Sequence, residues 1–60
     1  MEISTQIMTD TARSYLENID RTLDRIERKS VYVFFAYSGD HCYLMDFSTG
    51  KIQVIEVKLN

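Results

Sequence analysis

The sequence has no proline, two glycines, one cysteine and one histidine, and each scarcity closes off a class of answer. Without proline, and with glycine only at positions 39 and 50, nothing ahead of Gly39 forces a break in a helix. A single thiol, Cys42, excludes an internal disulfide. One histidine beside one cysteine, His41-Cys42, falls short of the ligand set that a closed structural zinc site needs within one chain, so no metal or other cofactor is expected. Basic excess is also lacking: seven Lys and Arg stand against nine Asp and Glu, for a net charge of −2. Phosphate neutralisation wants a basic face, so nucleic acid is a disfavoured partner. The longest apolar run is seven residues, far short of the roughly 20 that span a bilayer, and no membrane role is expected. Met1-Glu2-Ile3-Ser4 has no basic region ahead of an apolar core, so no secretory signal is expected. Together with the free thiol this favours a cytoplasmic location.

Sixty residues make one small domain, 1–60. Such a chain buries only about 60% of the surface its unfolded form exposes and usually needs a disulfide, a metal or oligomerisation as a supplement. With the first two removed, oligomerisation remains.

What the chain does have is Val31-Tyr32-Val33-Phe34-Phe35-Ala36-Tyr37, apolar or aromatic throughout and rich in β-branched and ring side chains. Length and composition favour a strand. A strand with one wet face alternates apolar and polar residues, and this one does not, so both of its faces want cover.

Ahead of it, Met8, Ala12, Leu16, Ile19, Leu23 and Ile26 recur at spacings of four and three, with Tyr15 beside them, which predicts a helix over residues 9–29. Thr9, Asp10 or Thr11 would supply its N-cap. Glu17→Arg21 and Asp24→Arg28 would be favourable i,i+4 pairs, and Arg25, Arg28 and Lys29 would suit its last turn. Ile3 and Ile7 fall off the stripe, leaving residues 1–8 as an arm. Beyond the helix, Gly39-Asp40 and Ser48-Thr49-Gly50 are turn signals that divide the remainder into strands over 31–38, 41–47 and 51–59. The predicted fold is therefore α+β, one N-terminal amphipathic helix packed on a three-stranded antiparallel meander.

Two-residue loops set Tyr37 opposite Cys42, Phe35 opposite Leu44 and Leu44 opposite Ile55. One sheet face then carries Val31, Val33, Phe35, Tyr37, Cys42, Leu44, Ile55 and Val57, a mostly aliphatic set suited to the helix. The other carries Tyr32, Phe34, Ala36, Tyr43, Met45, Phe47, Ile52 and Val54, with His41, Glu56 and Lys58 at one end. Aromatics and methionine inside a charged margin are the composition of a contact surface, and a monomer would expose them as an unusually large patch. Tyr32, Phe34, Tyr43, Met45, Phe47, Ile52 and Val54 are thus the expected interface with a second copy or a larger protein. Sheet extension through the strand 31–38 is the other route to a homodimer.

Chemistry is thinly represented. Asp40-His41-Cys42 is the one meeting of reactive groups, but neighbours on a strand point to opposite faces, so His41 and Cys42 are poorly placed to act together. A thiol on a packed face behaves as a small hydrophobe. A metal shared by His41 of two subunits, with Glu56, competes with the simpler reading of a polar rim. The rings of Tyr32, Phe34, Tyr43 and Phe47 evoke single-strand stacking platforms without the interleaved cations those use. Neither glycine begins a phosphate loop. No enzymatic activity is expected. The expectation is a small interaction protein that binds and modulates, by inhibition, a larger protein, in the manner of a phage-encoded or antitoxin-like blocker acting as a homodimer. A dimeric nucleic-acid-binding regulator is the alternative.

Overall fold

The computed structural model describes residues 4–58. It is a small α+β domain in the order α1 (Thr5–Asn18), β1 (Arg25–Arg28), β2 (Val33–Ser38), β3 (His41–Asp46) and β4 (Gln53–Val57). The strands form one antiparallel sheet in the order β1-β2-β3-β4, four strands rather than the expected three.

The helix begins earlier and ends far earlier than the apolar spacing implies. Ser4 is the N-cap, its Oγ accepting the Ile7 amide at 3.2 Å, rather than Thr9, Asp10 or Thr11. Of the expected arm 1–8, residues 1–3 lie outside the described residues, while Thr5 to Met8 are helical and Met8 is fully buried. At the other end the Asp20 amide donates to the Glu17 carbonyl at 3.1 Å and the Arg21 amide to the Leu16 carbonyl at 2.8 Å. Those two bonds form a Schellman stop, with Asp20 in the left-handed conformation at φ 59 where glycine is usual. Length gives the physical reason. A helix over 9–29 would reach about 31 Å, whereas strands of five or six residues span roughly 20 Å, so the excess would overhang the sheet. Fourteen residues, about 21 Å, fit.

The residues expected to finish that helix instead become an edge strand. Arg25, Ile26, Glu27 and Arg28 pair with Tyr37, Ala36, Phe35 and Phe34 and alternate exposed and half-buried. β2 is therefore an interior strand, which removes the expected route to a dimer through 31–38: its outer hydrogen-bonding edge is already occupied. The anticipated Asp24–Arg28 helical pair is likewise replaced. The Asp24 amide donates to the Tyr37 carbonyl at 2.8 Å, and its carboxylate accepts the Gly39 amide at 2.6 Å, tying the strand entry to the next hairpin's tip. In the connection to β2, the Lys29 and Ser30 amides donate to the Val33 carbonyl and the Arg28 Nη1 donates to the Val31 carbonyl at 3.0 Å.

The two hairpins keep the expected register: Tyr37 opposite Cys42, Phe35 opposite Leu44, and Leu44 opposite Ile55. Gly39 at φ 57, with Asp40 outside the positive region, gives the first turn the II′ pattern that matches strand twist. In the second loop the Asp46 carboxylate accepts the Ser48 amide at 2.7 Å, an interaction that holds its pKa below the usual carboxylate value. Leu59, the end of the expected third strand, lies outside the described residues.

The helix covers the face opposite to the one expected. Met8, Ala12 and Leu16, one face of α1, are fully buried with Phe34, Ala36, Tyr43 and Met45. Tyr15 meets Tyr43 edge-on at 5.9 Å, and Phe34 stacks on Phe47 at 5.9 Å. The larger rings and methionines fill the space between two layers, while the flatter aliphatic face stays outside.

Candidate interaction surface

That inversion places five of the seven residues of the expected interface in or against the core. Phe34, Tyr43 and Met45 lie in the core beneath α1, and Phe47 and Val54 pack against it. Tyr32 is half-buried, and Ile52 is exposed beside the second loop. The apolar character of those five is accounted for inside the chain, in the core beneath α1, while Tyr32 and Ile52 lie outside that core.

The uncovered surface is the outer sheet face, and its grid follows from the register. Arg25, Tyr37, Cys42 and Val57 form one row across the strands, and Glu27, Phe35, Leu44 and Ile55 form the next. Val33, Asp46 and Gln53 form a third. Phe35, Tyr37 and Leu44 are half-buried, and Ile55 is 59% exposed. Cys42 is fully covered on this face, an inert position for a thiol.

One border of the face is charged, and it comes from the strand the sequence disguised. The Arg25 guanidinium lies 3.9 Å from the centre of the Tyr37 ring, and the Lys29 ammonium 5.1 Å from that of Phe35. Between them Glu27 accepts the Tyr37 hydroxyl at 2.9 Å and stands 3.5 Å from Lys29. The Tyr37 hydrogen bond, helped by the Lys29 charge, holds the Glu27 carboxyl below its usual pKa; the same bond raises that of the phenol. Arg25, Glu27 and Lys29 were missed as surface residues because a charged run after a long apolar stripe reads as the end of a helix. Ile26 is the lone apolar residue of β1, and four residues are too few to display a period of two.

Of the reactive cluster, His41 and Cys42 do point to opposite faces. The His41 Nδ1 sits 2.8 Å from the Glu56 Oε2 and its ring stacks beside Tyr43, at the sheet end where the sequence placed the two polar groups. Among the described residues no three His, Cys, Asp or Glu side chains converge as a metal site would require, and no cavity opens. No described helix is long and apolar enough to cross a membrane. The outer face offers apolar area with a charged border. The chain matches no family model, no curated protein and no solved structure.

Proposed function

We propose that this protein is a small, non-enzymatic interaction protein that works as a homodimer and binds a larger protein through its outer sheet face, modulating it by occlusion. The observation that supports this reading is the unspent apolar face. α1 covers the opposite side, yet Val33, Phe35, Leu44, Ile55 and Val57 remain together on a surface that a self-sufficient domain would make polar. Arg25, Glu27 and Lys29 give the patch a charged rim on one side, the composition of an interface with a dry centre and a wet margin.

The test compares immobilised wild-type protein with Leu44→Lys, which puts a charge at the middle of that face. A protein captured by the wild type and lost by a Leu44→Lys variant with unchanged circular dichroism supports the proposal. Equal capture by both removes the outer face from the interaction. Salt-sensitive retention on heparin or DNA would support the nucleic-acid alternative instead, since an acidic protein-binding module should pass through.

A further inference from the structure

In its first two rows the outer sheet face is apolar or aromatic on β2, β3 and β4 and charged on β1. The axes of β2 and β4 lie two strand spacings apart, about 10 Å, which is the width of one helix with its side chains. The inner face already shows that fit, since α1, 14 residues long, closes it with Met8, Ala12 and Leu16. The cations of the border reach inward. The Arg25 guanidinium lies 3.9 Å from the centre of the Tyr37 ring and the Lys29 ammonium 5.1 Å from that of Phe35. Both charged heads therefore stand above β2, along the flank of whatever is seated over β3.

We infer that the outer face docks an amphipathic helix of the partner protein, lying along the strands over Leu44, with two carboxylates four residues apart on its margin toward β1. This rests on the outer-face reading of the proposed function and names what the partner presents there. The apolar stripe of such a helix covers Phe35, Leu44 and Ile55. The acidic spacing comes from the seats of the cations. The Tyr37 and Phe35 rings are 6.3 Å apart, centre to centre. Residues i and i+4 of a helix rise by about 6 Å, so one carboxylate meets each cation. Glu27, between the cations, is already engaged by the Tyr37 hydroxyl at 2.9 Å and by Lys29 at 3.5 Å, and the border of two cations and one anion is net positive toward a partner. Asp46, in the third row, is engaged by the Ser48 amide and keeps acidic residues away from that corner. A second copy fits this border less well. With two faces fully overlapped and the two-fold across the strands, Arg25 meets Lys29 and Glu27 meets Glu27. With the two-fold along the strands, Arg25 and Glu27 land on Val57 and Ile55 of the second copy, without a counter-charge.

The experiment measures fluorescence anisotropy with two labelled peptides of about 14 residues, stapled as helices, each carrying a leucine stripe at i, i+3, i+4 and i+7. A flanking pair four residues apart is Glu in one peptide and Lys in the other. At low ionic strength wild type should bind the Glu peptide roughly tenfold more tightly than the Lys peptide, two attractions against two repulsions. R25E/K29E should reverse that preference, R25Q/K29Q should abolish it, and Leu44→Lys should lose both peptides, each variant being checked by circular dichroism. The glutamine pair carries the test if three adjacent carboxylates on β1 unfold R25E/K29E. Wild type that binds neither peptide, or both equally, overturns the helix; if Leu44→Lys still loses capture of a protein, the outer-face reading stands without it. Peptide binding that Leu44→Lys leaves unchanged overturns both. A wild-type dimer in sedimentation velocity that Leu44→Lys dissociates puts a second copy on this face and overturns the inference.

Discussion

Two adjacent phenylalanines give the sharpest check on which sheet face the helix covers. Phe34 is fully buried, stacked on Phe47 at 5.9 Å within the cluster that Met8, Ala12 and Leu16 close from above. Truncation to alanine removes the ring and leaves a cavity between two layers, at a cost of about 3–5 kcal/mol. Phe35 is half-buried on the outer face, with the Lys29 ammonium above its ring and Tyr37 edge-on at 6.3 Å. Full burial of such a side chain is worth about 1.5–3 kcal/mol; half of that, plus an exposed cation–π contact of about 0.5–1 kcal/mol, gives roughly 2 kcal/mol for Phe35→Ala. Backbone propensity cancels, since both substitutions place alanine in the same strand. A domain of this length has a total stability of about 3–9 kcal/mol, so Phe34→Ala should lose most of its cooperative transition while Phe35→Ala keeps one at a lower midpoint. Urea titration followed by far-UV circular dichroism, at one fixed protein concentration, measures both. If Phe35→Ala proved as damaging as Phe34→Ala, the helix would cover the outer face and the reasoning about the free surface would fail.

Asp20→Gly should raise stability by about 0.5–1 kcal/mol, because a left-handed non-glycine residue costs about 1–2 kcal/mol and glycine's added chain entropy offsets only part of the relief; a lower melting temperature would refute the assignment of the helix stop. Asp24→Ala should cost about 1–1.5 kcal/mol through loss of the 2.6 Å acceptor for the Gly39 amide, with Asp24→Asn recovering part of it in the same thermal melts. The Glu27–Tyr37 bond predicts two pH windows. Glu27 has a depressed folded pKa, so its contribution is complete above the unfolded value and is lost as pH falls through the folded one; Tyr37 has a raised pKa, so its contribution is complete below the unfolded phenol value and is lost as pH rises through the folded one. Tyr37→Phe should therefore flatten the stability profile at both ends, and denaturation curves between about pH 5 and pH 3 that fall as steeply for the variant as for wild type would show that the bond does not form in solution.

The hairpins were legible because their signals are local. Gly39-Asp40 can adopt a turn that most dipeptides cannot, and once the turn is placed the alternation dictates that Tyr37 meets Cys42 and Phe35 meets Leu44. The end of α1 was not legible, because the residue that stops it is an aspartate in a conformation that usually advertises itself as glycine. Leu23 and Ile26 then fall on the helical spacing by coincidence, one from a connection and one from a strand. The choice of covered face was not readable either. Both faces are apolar, and a stripe of Met8, Ala12 and Leu16 fits against either; only the volumes of Phe34, Tyr43 and Met45 between the layers decide, and volume complementarity is not a pattern along the chain.

The unexpected strand changes what the free face can do. On the β1 side, Arg25 and Lys29 lie over the Tyr37 and Phe35 rings, and their aliphatic stems shelter apolar surface while the charges stay wet. Among the described residues no such cover reaches the β3–β4 side, where Ile55 is 59% exposed and Leu44 lies between it and Phe35. Along the row Phe35, Leu44 and Ile55 apolar exposure is greatest at Ile55 on β4, whereas in the neighbouring row Cys42 is buried and Val57 half-buried. Desolvation should be most favourable at the β4 side, and any protein that docks there gains the most by approaching from that direction. Opposite charges on the β1 side would orient that partner more than hold it, because exposed ion pairs contribute little to affinity and much to encounter. Added salt should then slow association while leaving dissociation nearly unchanged, whereas Ile55→Lys should speed dissociation, a separation that surface plasmon resonance reads directly.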